Sequence, residues 1–273
     1  MKTVIHVLTH TFNINQEHLN RYNYLHETNF YFGLGDLLRS SIKLYNLSKI
    51  MQFKLIIDIQ LHPMAAFLEV EKHEYSDYVL ANKNNVDYVC YGAVEEYINT
   101  HSDTDIMLIL TNDFYNDEDI SNDCKEFIKK IFTPNNTFKL FIQHKLNSLP
   151  FPTFNILHYR VSDNEFLKKG ETLMLEQYLD HLKKHKEYND ILITDTKKLK
   201  NYIFLNDDIF IFDTKICHLG LSTEPDEIRD TMFEFFLLTH ASKIKTYCKI
   251  HSISGFIKWT GKIYDIPVIG FNY

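Results

Sequence analysis

The chain has 273 residues, 45% hydrophobic and 24% charged, the proportions of a folded globular protein and not of a disordered one. That length accommodates two domains of ordinary size. A formal net charge of −7 argues against a nucleic-acid binder, which carries a basic excess or stripe.

In chain order, short apolar runs alternate with amphipathic stretches, the pattern of an α/β architecture. Thr3–Leu8 reads as a strand and not as a signal peptide, having no small-residue cleavage site. Phe32-Gly33-Leu34-Gly35-Asp36 opens a helix expected over Leu37–Lys49, with strands at Phe53–Ile59 and Ile106–Leu110 and a helix at Asp123–Phe132. Residues 64–104 give no clear period. Lys145–Thr153, with Pro150 and Pro152, reads as a crossover between lobes. Beyond it come strand Phe154–Tyr159, a long helix Asn164–His185, strand Ile191–Thr194, helix Thr196–Tyr202 and strand Ile209–Phe212. Helix Pro225–His240, strand Lys243–Tyr247, helix Ser252–Tyr264 and strand Pro267–Ile269 complete the series. Strands separated by helices imply parallel sheets, which bind ligands beyond their carboxyl ends. No run of about 18 apolar residues spans a membrane.

Cysteines 90, 124, 217 and 248 are scattered without metal-ligand spacing and read as reduced thiols of a cytoplasmic protein. The fourteen histidines show no H-E-x-x-H, so no metal is expected. An acidic protein can bind a dianion only through a local positive field. Attention therefore falls on its four arginines, Arg21, Arg39, Arg160 and Arg229.

Three stretches could carry chemistry. Gly33-Leu34-Gly35-Asp36 has glycines before a helix, where a phosphate can approach exposed backbone N–H groups. The same residues also make an ordinary tight turn with Asp36 as helix cap. Arg39 stands near where a dinucleotide fingerprint has its third glycine, facing a cleft or solvent. The second stretch, His158-Tyr159-Arg160-Val161-Ser162-Asp163, continues from the carboxyl end of a buried strand. Alternation puts His158 and Arg160 on one face, and a guanidinium can fork onto two phosphate oxygens. The competing reading is a structural Arg160–Asp163 ion pair beside a surface histidine. Last, His251-Ser252-Ile253-Ser254-Gly255-Phe256 offers hydroxyls and N–H groups at a helix start. Alternatively, Ser252 is a plain N-cap and Phe256 belongs to the core.

Together these stretches resemble, over most of residues 30–60 and 150–270, the fucosyltransferase superfamily with an H-x-R motif. That superfamily spans bacterial nodulation, α1,6- and protein O-fucosyltransferases. Gly33–Asp36 looks like its G-x-G-[DN] segment, His158-Tyr159-Arg160 its H-x-R, and Asp230–Ser242 with Ser252–Phe256 its last motif. The resemblance implies an α/β, GT-B-like fold of two Rossmann-like lobes whose parallel sheets face a cleft. Residues 1–149 would form the acceptor lobe and residues 150–273 the donor lobe. It implies an inverting, metal-independent transfer of fucose from GDP-fucose to a glycan hydroxyl, with no cofactor and no nucleic-acid partner. Arg160 would hold the diphosphate, and His158 and Asp36 join it as catalytic candidates. Gly33, Gly35, Asp163, Asp195, Glu234, Ser252, Ser254, Gly255 and Phe256 would bind the donor, and the turn His218-Leu219-Gly220 would line the donor lobe. Ser162 stands where the family commonly has glycine, and Glu234 where it has aspartate. Those departures keep open another nucleotide-sugar donor, or a non-catalytic nucleotide-sugar or glycan-binding module.

Overall fold

The structure, a computed structural model, describes residues 1–9, 32–89, 92–113, 115, 119–161, 175–206, 209–220, 222–248 and 253–271. The chain forms two compact units, Met1–Phe138 with Leu219–Leu221, and Lys139–His218 with Ser222–Tyr273. Where the sequence suggests a boundary at 149/150, the units divide inside a helix.

The first unit contains β1 (Thr3–Val7), α1 (Leu34–Met51), β2 (Lys54–Asp58), α2 (Ser76–Ala81), β3 (Asp87–Val89), α3 (Val94–Thr100), β4 (Ile106–Thr111) and α4 (Asn122–Ile131). Its four strands pair in parallel in the order β2-β1-β4-β3. Every residue of β1 is buried, as a central parallel strand covered on both faces requires. Val4, Leu44, Leu47, Val89, Val94, Ile98 and Ile109 share one core cluster, each fully buried apolar side chain contributing roughly 1.5–3 kcal/mol.

α5 (Asn136–Asn147) carries the division between units. The second unit follows with β5 (Asn155–Arg160), α6 (Leu175–His185), β6 (Asp190–Thr194), α7 (Lys197–Asn206), α8 (Pro225–Thr239), β7 (Ile244–Cys248), α9 (Gly255–Tyr264) and β8 (Val268–Gly270). This sheet is also parallel, ordered β6-β5-β7-β8. One face of β5, Leu157 and Tyr159 together with the following Val161, packs on Leu179 and Leu182 of α6 and on Leu199 and Ile203 of α7. Alternation therefore turns His158 and Arg160 to the opposite face. The chain runs from β5 to β6 on one side and then crosses to β7 on the other, so the direction of winding reverses between β5 and β7. Such a reversal opens a crevice beyond the carboxyl ends of the two strands.

Several expectations change. Phe210 makes a single parallel bridge to Ile191 and accepts from Leu192 N at 2.9 Å, so Ile209–Phe212 is not a strand. α1 begins at Leu34 and not at Leu37, because Gly33 serves as N-cap and the Asp36 carboxylate reaches back to its N–H. The region of weak period holds α2, β3 and α3, each of three to seven residues, too short to show a repeat. α5 has no counterpart among the elements expected from the sequence; Asn135 caps it by accepting from Phe138 N at 2.9 Å. Of the long helix expected from Asn164, the stretch before Leu175 lies outside the described residues.

Candidate functional site

The crevice between β5 and β7 gathers the second unit's candidates. In the register His158 stands beside Thr246 and Arg160 beside Cys248. Arg160, the last residue of β5, is half-buried, and its Nη1 donates to Ser254 Oγ at 3.2 Å. Ser254 is buried and is the N-cap of α9, yet its hydroxyl makes no capping bond to that helix. Its Oγ faces the guanidinium instead. A permanently charged guanidinium, a hydroxyl and the first-turn N–H groups of a ten-residue helix thus meet at one point. Those are the components of an anion cradle, with donors in a geometry suited to phosphate oxygens. Gly255 and Phe256 open α9 and are half-buried, the Phe256 ring lying 6.4 Å from that of Phe235.

His158 lies behind Arg160 on the same face. It is buried, not a surface histidine, and its Nδ1 pairs with Thr246 Oγ1 at 2.9 Å. Burial, reinforced by the charge of Arg160, pushes its pKa down to about 3. The imidazole is therefore neutral across the physiological range. Asp195 follows β6 and pins the turn after β5, its Oδ1 accepting from Val161 N at 2.9 Å and from Thr196 Oγ1 at 3.3 Å.

Glu234 has different company. Its Oε1 accepts from Thr214 Oγ1 at 2.6 Å and lies 3.9 Å from Lys200 Nζ, and burial raises its pKa despite that ammonium. Lys200 in turn donates to the carbonyl and hydroxyl of Thr214. Nearby, Asp230 Oδ2 accepts from Lys215 N at 2.8 Å. The set ties α7, α8 and the segment before α8 together.

Gly33, Gly35 and Asp36 belong to the first unit. Asp36 sits in the first turn of α1, accepting from Gly33 N at 3.1 Å and lying 3.1 Å from Arg39 Nη2. The Arg39 guanidinium also donates to the carbonyls of Asn112, at 2.6 Å, and Asp113, at 3.1 Å. Arg39 thus clamps the end of β4 to the start of α1. The turn at Leu219 and Gly220, expected to line the donor lobe, joins the first unit. A Cβ on Gly220 would meet Phe32 backbone atoms at 2.8 to 3.2 Å, so only glycine fits there.

Asp163 and Ser252 lie outside the described residues. Sequence reasoning overlooked Thr246 and the Lys200–Thr214 pair: a threonine within an apolar strand and a lysine on a surface-like helix carry no spacing signal. Among the described residues no cluster of three His, Cys, Asp or Glu side chains could hold a metal ion. No described helix is long and apolar enough to cross a membrane.

No protein-family model and no curated protein matches the sequence. Solved structures do match the fold. NodZ α-1,6-fucosyltransferase co-crystallised with GDP superposes with a TM-score of 0.56 at 13% identity, over 99% of this chain and 95% of that one. The same enzyme soaked with GDP-fucose gives 0.55 at 13% identity, over 99% and 95%. The fucosyltransferase NodZ from Bradyrhizobium gives 0.55 at 14%, over 99% and 96%. At such identity the likeness establishes the fold: α/β, GT-B-like, with two units each built on a four-stranded parallel sheet.

Proposed function

We propose that the chain is a glycosyltransferase that moves fucose from GDP-fucose to a glycan hydroxyl, with inversion and without a metal ion, in a cytoplasmic setting. The observation that carries this reading is the meeting of Arg160 with Ser254 at the N-terminus of α9, where the second sheet reverses its winding. The GDP and GDP-fucose in the NodZ structures supply the donor chemistry that such a cradle suits.

In the reaction, an acceptor oxygen attacks the anomeric carbon as the bond to the diphosphate oxygen breaks. The departing electron pair becomes negative charge on the diphosphate. Arg160, Ser254 and the N–H groups at Gly255 and Phe256 stabilise that charge more in the transition state than in the ground state. Asp195 holds the backbone that aims Arg160, through its bond to Val161 N. Asp163, Ser252 and Glu234 keep the donor-binding roles that the family resemblance implies, and Gly33 and Gly35 those of the first unit. With a pKa of about 3, His158 is poorly matched to a base working near neutrality. It serves instead as a neutral hydrogen-bonding group, leaving Asp36 and Asp163 as the candidate bases.

Replacing Arg160 by Ala should leave the fold intact and lower transfer by about a hundredfold or more. Fucosyl transfer is assayed alongside a donor panel of GDP-fucose, GDP-mannose and UDP-sugars, with and without EDTA. Turnover near wild type in the Arg160→Ala variant overturns the assignment. Preference for a UDP-sugar corrects the donor, and loss of activity in EDTA removes metal independence.

A further inference from the structure

The first unit has a cavity of about 340 Å³ that plays no part in the cradle around Arg160. One wall is β2 itself: Leu55, Ile56, Ile57, Asp58 and Ile59 line it consecutively, which is how the edge of a strand lines a space. Among the described residues β2 is the outermost strand of its sheet. Its ladder to β1 uses alternate residues, with Lys54 N donating to Lys2 O at 2.8 Å and Leu8 N to Asp58 O at 2.7 Å. The backbone N–H and C=O of Leu55 and Ile57 therefore point outward, roughly 6.6 Å apart along the strand. Among the described residues nothing bonds to them.

The opposite wall is a strap, Glu69 to His73, fastened at both ends. At one end Glu69 N donates to Thr133 O at 2.8 Å. At the other, His73 Nε2 lies 2.7 Å from Asp58 Oδ2 and His73 N donates to Ser76 Oγ at 3.0 Å. Phe127 and Ile131 of α4 add an apolar surface. Asp58 and Lys130, two of the charged side chains here, are already engaged. Asp58 accepts from Gln60 N at 2.9 Å and from Gln60 Nε2 at 2.7 Å, and Lys130 pairs with Glu71 at 3.0 Å. What the cavity offers is main-chain hydrogen bonding beside an apolar wall.

We propose that this slot binds an extended peptide, which adds a strand to the free edge of β2 and sets an apolar side chain against Phe127 and Ile131. Main-chain groups at strand spacing complement another main chain, and a sugar ring has no matching donor–acceptor repeat. The assignment is independent of the glycosyl-transfer reading.

The probe is a capped peptide, acetyl-Thr-Val-Thr-Val-Thr-amide, titrated into the full chain with amide hydrogen exchange followed at Leu55 and Ile57. Exchange at both should be fast without peptide and slow at least tenfold at saturation. Leu55→Pro, which removes an N–H the sheet does not use, should weaken binding at least tenfold; the Leu55 side chain also packs on the core around Val4 and Leu44, so Tm should fall while the fold persists. Val70→Arg, a change at an exposed strap position, should weaken binding similarly by filling the slot. Amides already protected without peptide would overturn the proposal, as would protection that grows with protein concentration alone. Slowing by an oligosaccharide and not by the peptide would overturn it as well.

Discussion

Each unit buries a histidine on the central strand of its sheet, and each has an arginine where the winding of its sheet reverses. His6 on β1 lies 3.4 Å from Ser41 Oγ and accepts from Thr111 N at 3.4 Å, and burial drives its pKa to about 3. His158 on β5 shares the burial and the depressed pKa, with Thr246 as its partner. The arginines differ. Arg39 spends its guanidinium on a carboxylate and two backbone carbonyls of its own unit. Arg160 meets a neutral hydroxyl at a helix N-terminus. The same residue type thus does different work in the two units: Arg39, inside α1, holds the end of β4, and Arg160, at the end of β5, meets the hydroxyl that opens α9. What separates them is the chemistry of the partner.

The widest separation is expected between the two arginines. Arg160→Ala should cost a hundredfold or more in transfer with Tm nearly unchanged. Arg39→Ala should instead lower stability by about 2 kcal/mol, since charged hydrogen bonds are lost and carbonyls left unpaired, while GDP affinity survives. Calorimetry and urea unfolding on both variants would break the comparison if the two phenotypes were exchanged.

The histidines should behave alike in stability. Both have folded pKa values near 3, below the ordinary 6.5, so between those limits the unfolded chain binds protons that the folded chain refuses. Stability should be fully present above about pH 6.5 and fall as pH drops toward 3, each histidine contributing a limiting slope of about 1.4 kcal/mol per pH unit. Urea midpoints at pH 7 and pH 4 should converge for His6→Asn and for His158→Asn. Only the second should also weaken GDP binding.

The smallest effects belong to the supporting hydroxyls. Ser254→Ala should weaken GDP binding by up to about tenfold through one lost hydrogen bond. Ser41→Ala, at the hydroxyl beside His6 in the first unit, should leave GDP binding unchanged.

Parts of this arrangement were legible because the physics is local. The apolar run Phe154–Leu157 leading to His158 and Arg160 specifies a buried strand whose alternation sets both side chains on one face. Pro225 fits the first turn of α8 because its missing N–H has no partner there in any case. Other parts depend on the tertiary setting. Phe210 fails to extend the sheet although Ile209–Phe212 has strand composition, since its single bridge to β6 is not continued. That Ser254 and not Ser252 stands at the N-cap of α9, and that Arg39 turns to backbone carbonyls and not to a cleft or solvent, depends on backbone brought in from distant sequence. Asp113, one of Arg39's carbonyl partners, is 74 residues away. Glu234 likewise shows its Lys200 and Thr214 partners only after folding.

Gly220 carries a consequence for synthesis. The first unit needs Leu219 and Gly220, yet the ribosome makes them some eighty residues after Phe138. At ordinary elongation rates the opening half of the chain waits roughly 4–16 s for that piece. A gene cut after Phe138 would encode a fragment that lacks the backbone covering Phe32. The two halves of this protein are adjacent on paper, but they are not separable as parts.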